Sequence, residues 1–191
     1  MSGMLIVGAG QAGGTAALQL RASGYTGEIT LAGSEPHAPY ERPPLSKGYL
    51  SGALPYESLL VRPEETYEKQ RIKLLTTTTI AAINSGAGTA KTAENDEITF
   101  EGLLLATGAR PRQLPVSGAE LPGVYYLRTI ADVKQLQGAL ARAKRVCLIG
   151  GGVCRPRVCV GSSQSWIRGD CSRVCRPSPQ ACDHRDHEPI L

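Results

Sequence analysis

Residues 4–13 read MLIVGAGQAG, a short apolar run followed directly by a Gly-x-Gly-x-x-Gly motif. The apolar run predicts a buried strand, and residues 14–23 predict a helix. In such a turn Gly8 permits the sharp exit from the strand, and Gly10 lets the backbone approach a phosphate. Gly13 lets the helix pack closely on the strand. The stretch therefore predicts a Rossmann-like fold that binds a dinucleotide pyrophosphate at the N-terminus of the helix.

The residues that follow supply the rest of a nucleotide-binding unit. Gly24 is placed to end the helix, and residues 27–32 (GEITLA) predict a second strand. Glu35 then lies about 20 residues beyond the last glycine, where an acid bonds the ribose hydroxyls. The glycine motif alone also occurs in ordinary glycine-rich turns. Strand, glycine turn, helix, strand and acid in this order favour a dinucleotide site.

The next segments predict a three-layer α/β domain. Residues 63–71 indicate a short helix that begins with a proline, and residues 72–75 indicate a third parallel strand. Residues 80–100 predict a small antiparallel excursion, with turns near its asparagine and glycine residues. The continuous apolar run at 103–105 is typical of a buried parallel strand. The predicted domain is thus a parallel sheet with a small antiparallel addition.

A second nucleotide-binding domain is predicted to begin after a proline-rich crossover at residues 111–122. Residues 130–143 predict a helix and residues 145–149 a strand, which ends in Gly150-Gly151-Gly152. This strand and glycine turn repeat the opening pattern about 140 residues later. Two such folds suggest one site for FAD and another for a nicotinamide donor. The predicted divisions are an FAD domain at 1–114, the start of an NAD(P)H domain at 115–152, and a tail at 153–191.

The composition excludes several other classes of protein. The 191 residues are 41% hydrophobic and 20% charged, as in an ordinary soluble domain, and the net charge of +4 is too small to indicate nucleic-acid binding. No run approaches the ~20 apolar residues of a membrane span, and no charged leader precedes the first strand. The sequence therefore predicts a cytoplasmic protein.

Four motifs together resemble one family. They are VGAGQAG at 7–13, PYERPPLSK at 39–47, ATGARPR at 106–112 and YLRT at 126–129. This combination resembles the FAD-dependent pyridine-nucleotide oxidoreductases that reduce ferredoxins for oxygenases, of the putidaredoxin- and rhodocoxin-reductase type. The resemblance extends over residues 4–152.

The resemblance implies an FAD site built from the glycine turn and several loops. It implies that Ala12 and the turn hold the pyrophosphate, that Glu35 binds the adenosine ribose, and that Ile80 offers backbone contacts to adenine. Cations in a proline-stiffened loop also suit a phosphate or a flavin edge. The remaining implied cofactor-binding residues are Gly8, Gly10, Gly13, Arg42, Lys47, Ala106, Thr107, Gly108 and Arg128, with Gly150 and Gly152 in the second site.

The implied reaction is hydride transfer from NAD(P)H to FAD, followed by single-electron transfers to a ferredoxin-type iron–sulfur protein. Disulfide reductases of this fold carry a Cys-x-x-x-x-Cys pair against the flavin, whereas this chain has no cysteine before Cys147. Electrons are therefore expected to leave for an external acceptor. The alternatives are a non-catalytic nucleotide-binding fragment, or a rubredoxin- or monodehydroascorbate-type reductase on the same scaffold. No catalytic side chain is assigned, and the cysteines and histidines of the tail lack the usual zinc spacing.

The tail departs from the family pattern immediately after Gly152. The family continues with an aromatic residue, an aliphatic residue and Gly-Leu-Glu, whereas residues 153–159 read VCRPRVC. Codons for these residues, read with the first base removed, permit Tyr or Phe, Ala or Val, Gly, Leu and Glu. The same shift places an acid at position 173, where it would repel a 2′-phosphate and favour NADH. We therefore expect residues 153–191 to be out of frame and disordered, and the chain to be a truncated, inactive fragment.

Overall fold

The structure is a computed structural model that describes residues 3–149, together with the backbone of residues 158–160 and 165–167. The chain divides into two compact units. The first unit comprises Met1–Arg42 and Tyr56–Arg110, and the second unit comprises Pro43–Pro55 and Pro111–Leu191. The strands are β1 (Gly3–Val7), β2 (Ile29–Ala32), β3 (Ile72–Leu75), β4 (Ile80–Asn84), β5 (Thr89–Thr92), β6 (Glu97–Leu105), β7 (Val158–Val160) and β8 (Ser165–Ile167). The helices are α1 (Gln11–Ala22), α2 (Glu64–Lys69) and α3 (Ile130–Leu140), with 3-10 turns at Pro43–Ser46 and Tyr56–Leu59.

The first unit contains a six-stranded sheet in the order β3-β2-β1-β6-β5-β4. Strands β1, β2 and β3 run parallel, and the second half of β6 runs parallel to β1. The first half of β6 pairs antiparallel with β5, which pairs antiparallel with β4. The predicted fold class, a parallel Rossmann-like sheet with a small antiparallel excursion, is confirmed.

Apolar side chains on both faces of β1 form the core of this unit. Because successive side chains of a strand point to opposite faces, Ile6 packs in a cluster with Ala17 of α1 and Tyr67 of α2. Leu5 packs in the other cluster, which includes Phe100 of β6. Burial on both faces explains why β1 reads as a continuous apolar run.

Helix α1 ends where the sequence predicts. Gly24 adopts φ +88°, and its N–H donates to the carbonyl of Arg21 at 3.0 Å. The N–H of Tyr25 donates to the carbonyl of Leu20 at 3.0 Å. These two bonds form a Schellman motif, which satisfies the last carbonyls of the helix and needs a residue that tolerates positive φ.

Arg21 ties the end of α1 to the segment that follows α2. Its guanidinium donates to the carbonyls of Tyr25 and Gly27 at 2.7 Å, and to those of Gln70 and Arg71 at 2.8 Å. One side chain therefore satisfies four carbonyl oxygens from two loops. The contact fixes the entry to β2 and the entry to β3 relative to each other.

The apolar run at the end of β6 is less buried than predicted. Its backbone pairs parallel with β1 as expected, but Leu104 is 38% exposed and Leu105 is 60% exposed. The expectation of a fully buried strand is therefore wrong at these two residues. The described residues cover these two side chains only in part, so the apolar pattern overstates the burial at this edge of the unit.

The predicted strand at residues 145–149 is not formed. The structure gives this segment no regular secondary structure, and Ile149 is 61% exposed. A strand persists only when a neighbour satisfies its backbone groups, and no described strand pairs with this segment. The glycine turn at 150–152 lies outside the described residues.

The second unit contains α3, which begins two residues after Arg128. Thr129 and Asp132 form a reciprocal capping box, with the Thr129 N–H donating to Oδ2 of Asp132 at 2.7 Å. The side chain of Gln137 donates to the carbonyls of Tyr49 and Leu50 at 3.1 and 3.2 Å. These bonds attach the segment Pro43–Pro55 to α3.

In the predicted tail, β7 and β8 pair antiparallel. The other residues of 153–191, for which disorder is predicted, lie outside the described residues. No helix in the described part of the chain is long and apolar enough to cross a membrane.

Candidate nucleotide-binding site

The carboxyl ends of three neighbouring strands of the first unit converge on the glycine turn. The N–H of Gly8 donates to the carbonyl of Ala32, at the end of β2, at 2.7 Å. The N–H of Ala106, just beyond β6, donates to the carbonyl of Val7 at 2.8 Å. The edge of an open α/β sheet at the carboxyl ends of its strands is where such folds bind ligands.

The three motif glycines have different structural reasons to be glycine. Gly8 adopts φ +114°, and a methyl group added there would collide with the carbonyl of Ala106. A methyl group at Gly13 would collide with the carbonyl oxygen of Gly8. A methyl group at Gly10 would meet no protein atom within 4 Å. The fold therefore requires glycine at Gly8 and Gly13, whereas the space above Gly10 is open.

The N-terminus of α1 lies beside this open space. The N–H of Gly14 donates to the carbonyl of Gly10 at 2.9 Å, so the preceding N–H groups of Gln11, Ala12 and Gly13 lack acceptors within the helix. Gly10 is the N-cap and makes no side-chain capping bond, and the first turn contains no acidic residue. Unpaired N–H groups and the positive end of the helix dipole suit an anion such as a pyrophosphate.

Glu35 and Arg42 come together in the first unit. Nη2 of Arg42 lies 2.7 Å from Oε1 of Glu35, and the hydroxyl of Tyr40 donates to Oε2 at 2.7 Å. Nη1 of Arg42 also donates to the hydroxyl of Tyr40 at 3.0 Å. The side chains of Glu35 and Arg42 are 28% and 27% exposed, so the carboxylate is fixed in position but remains open to a ligand.

The connection from β3 to β4 lies against the loop that carries Glu35. The N–H of Thr78 donates to the carbonyl of Gly33 at 2.8 Å, and that of Thr77 donates to the carbonyl of Glu35 at 3.2 Å. Thr77 adopts φ +55°, a conformation that β-branched residues rarely take. These bonds hold Thr77 and Thr78, which precede β4 at Ile80, against the loop that carries Glu35.

The remaining candidates lie in different parts of the chain. Ala106, Thr107 and Gly108 follow β6 in the first unit, and Gly108 adopts φ +69°. Lys47 and Arg128 belong to the second unit, where Lys47 is exposed and the N–H of Arg128 donates to Asp132 at 2.9 Å. Gly150 and Gly152 lie outside the described residues.

Comparison with known proteins assigns the family. The family model described as pyridine nucleotide-disulphide oxidoreductase matches residues 3–154. The chain belongs to this family. The predicted resemblance to ferredoxin reductases is confirmed, because the relatives of this pyridine nucleotide-disulphide oxidoreductase include named ferredoxin reductases.

Three relatives illustrate the match. A probable ferredoxin reductase from Castellaniella defragrans is 44% identical over 78% of this chain and 36% of its own length. A rubredoxin-NAD(+) reductase from Pseudomonas putida is 41% identical over 78% of this chain and 39% of its own. The crystal structure of a covalent putidaredoxin reductase–putidaredoxin complex matches with a TM-score of 0.73 and 39% identity, over 79% of this chain and 37% of that one. The chain thus spans little more than a third of the length of the curated relatives it matches.

The sequence did not reveal the side chains that hold Glu35 in place. Tyr40 was part of the motif at residues 39–47, but no role was predicted for it. In the structure the His37 ring lies edge-on to that of Tyr40 at 6.2 Å and tilted to that of Tyr56 at 5.4 Å. A signal was present in the sequence: prolines before Tyr40 and after Arg42 favour an extended segment, in which residues two apart lie on the same side.

Tyr67, behind the glycine turn, is a second residue that the sequence did not single out. Its side chain is fully buried, and its hydroxyl has no hydrogen-bond partner among the described residues. A methyl group added at Gly14 of α1 would meet that hydroxyl at 2.9 Å. Burial raises the pKa of Tyr67 to about 12, and the nearby charge of Arg62 opposes this shift.

We expect Tyr67→Phe to leave stability at pH 7 unchanged or to raise it by about 1 kcal/mol, because it removes an unpaired buried hydroxyl.

The raised pKa of Tyr67 makes the stability of the parent depend on pH. The unfolded chain releases the phenol proton near pH 10 and the folded chain only near pH 12, so the parent loses stability as pH rises through this window. Urea unfolding at pH 7, 10 and 11.5 tests this. If the variant lost as much stability between pH 7 and pH 11.5 as the parent, the alkaline destabilisation could not be assigned to Tyr67.

Proposed function

We propose that the first unit binds FAD, with the pyrophosphate on the N–H groups at the start of α1. The observation that carries this proposal is the open space above Gly10, which lies at the start of a helix whose first turn contains no acidic residue. The adjoining glycines are enclosed by backbone, whereas Gly10 is not. A glycine that the fold itself does not require is accounted for by a ligand that approaches the backbone there.

The other contacts to FAD follow from the geometry of the carboxyl edge. Glu35 accepts hydrogen bonds from the hydroxyls of the adenosine ribose, and backbone groups near Ile80 contact the adenine. Arg42 neutralises the negative charge of Glu35 at this end of the site. Ala106, Thr107 and Gly108 contact the cofactor where the chain leaves β6. The roles of Lys47 and Arg128, which belong to the second unit, stay predictions from the family resemblance.

We propose that the function is electron transfer from NADH, through FAD, to an external iron–sulfur protein of the ferredoxin type. A bound flavin accepts two electrons as a hydride and donates them singly. The names of the relatives support this reaction, as does the absence of any cysteine before Cys147, which leaves no disulfide beside the flavin. Because one relative is named a rubredoxin reductase, a rubredoxin is the second candidate acceptor.

The nicotinamide site is proposed to require a change of reading frame at codon 153. Residues 145–149 lack the strand on which such a site is built. The residues that follow include Pro156 between two arginines, where the family pattern calls for a glycine and the start of a helix. Removing one base at this codon permits the family pattern to continue in register.

We expect the 191-residue chain reconstituted with FAD to show no NADH-dependent reduction of ferricyanide above the free-flavin background. The protein from the same gene with one base removed at codon 153 is expected to turn over and to reduce a ferredoxin. The two proteins share residues 1–152, so they form a matched pair. Flavoenzyme-like turnover by the 191-residue chain would contradict the proposed frame change. A frame-restored protein that folds but retains no flavin would contradict the FAD proposal.

A further inference from the structure

The carboxylate of Glu35 is held at both of its oxygens by protein donors. Arg42 bonds Oε1 and the Tyr40 hydroxyl bonds Oε2, each at 2.7 Å. The contact of 3.0 Å between Arg42 and the Tyr40 hydroxyl closes the ring of three side chains. Glu35 is therefore restricted to one orientation before any ligand arrives.

Tyr40 is the rigid member of this ring. It is only 2% exposed, and the guanidinium of Arg42 lies over its ring, 5.1 Å from the centroid. The edge-on contact with His37 limits movement of the ring on another side. A tyrosine packed in this way has little freedom to move its hydroxyl, so the hydroxyl is a fixed donor for Oε2.

The backbone around Tyr40 is anchored on both sides. Tyr40 forms an isolated antiparallel bridge with Leu60. The N–H of Glu41 donates to the carbonyl of Leu59, and that of Val61 donates to the carbonyl of Pro39, each at 2.8 Å. The position of the Tyr40 hydroxyl is thus set by paired backbone rather than by a free loop.

This arrangement matters because a half-exposed glutamate otherwise samples several rotamers. Fixing such a side chain upon ligand binding costs conformational entropy and so weakens binding. In this protein Tyr40 and Arg42 already fix Glu35 in the folded chain, so ligand binding need not restrict it further. Each carboxylate oxygen still has a lone pair that can accept from a further donor. The Arg42 charge also reduces the repulsion between Glu35 and the phosphates of an approaching nucleotide.

We propose that Tyr40 is a positioning residue for nucleotide binding, which acts through Glu35. Together with Arg42 it orients the carboxylate to accept the 2′- and 3′-hydroxyls of an adenosine nucleotide. The proposal rests on the proposed FAD site and adds the residue that determines its preference for ribose. The hydroxyl of Tyr40 itself does not contact the ligand.

The test compares ADP with 2′-deoxy-ADP, titrated calorimetrically into the full chain. We expect Tyr40→Phe to weaken ADP binding about five- to tenfold, the size of one ordinary hydrogen bond, because the hydroxyl acts only through Glu35. The variant is also expected to discriminate less between ADP and 2′-deoxy-ADP than the parent does. Glu35→Gln is expected to remove that preference, and the double variant to be no weaker than Glu35→Gln alone. Tyr67→Phe, which removes a buried hydroxyl that does not contact Glu35, is the matched control and is expected to bind like the parent.

The outcomes separate this proposal from the FAD proposal. If the parent binds ADP and FAD, but Tyr40→Phe prefers ADP over 2′-deoxy-ADP as strongly as the parent does, the positioning role is overturned and the FAD site stands. Fully additive losses for Tyr40→Phe and Glu35→Gln would overturn it as well. A folded parent that binds neither nucleotide overturns both proposals. Arg42→Gln is the second variant, since the partly exposed side chain of Arg42 can be changed without disturbing the core. It is also expected to reduce the difference in affinity between ADP and 2′-deoxy-ADP.

Discussion

Gly10→Val is expected to abolish FAD binding, with a loss of affinity of more than about 100-fold, while leaving the fold intact. The added side chain would occupy the open space at the N-terminus of α1, where its Cβ meets no protein atom within 4 Å. Gly10 has extended backbone angles that valine adopts readily, so the stability of the variant is expected to stay within about 1 kcal/mol of the parent. Flavin fluorescence titration and urea unfolding measure the two effects separately.

Two further variants serve as controls for this experiment. Gly86→Val makes the same change in an exposed turn of the first unit, where an added methyl group meets nothing closer than 3.6 Å, and is expected to bind FAD like the parent. Glu35→Ala is expected to weaken binding far less than Gly10→Val, because it removes hydrogen bonds at a partly exposed position. Equal flavin occupancy in Gly10→Val and the parent would contradict the proposed pyrophosphate site at Gly10.

Gly13→Ala, unlike Gly10→Val, is expected to destabilise the fold. We expect its free energy of unfolding to fall by about 3 kcal/mol or more. The methyl group would collide with the carbonyl oxygen of Gly8 and lie 3.2 Å from Leu31, so the helix must move away from β1. Gly10→Ala, the same change three residues earlier, is the matched control and meets open space. Chemical denaturation of the two variants checks the contrast. A midpoint for Gly13→Ala equal to that of Gly10→Ala would show that helix and strand do not approach so closely.

The sequence predicted the parts of the fold that depend on local pattern. These parts are strand β1, the glycine turn and the end of α1 at Gly24, since each follows from backbone conformation or short-range periodicity. The antiparallel excursion was marked by turn residues between short apolar runs.

The sequence did not predict features that depend on distant partners. The exposure of Leu105 and the missing strand at 145–149 depend on which other elements cover or pair with them. Arg21 also bonds the carbonyls of Gln70 and Arg71, which lie 49 and 50 residues further along the chain. No local sequence pattern predicts these contacts. The ring of Glu35, Tyr40 and Arg42 was partly marked by the proline-bounded motif, but its hydrogen bonds required coordinates.

Backbone amide chemical shifts of the full chain, followed during titration with FAD, test the central proposal most directly. The amides of Gln11, Ala12 and Gly13 are expected to move strongly, because they would donate to the pyrophosphate, and the amide of Glu35 is expected to move as the ribose binds. Gly10→Val should eliminate these shifts. Saturable FAD binding that leaves the amides of residues 10–13 unchanged would contradict the account, since the pyrophosphate would then lie elsewhere.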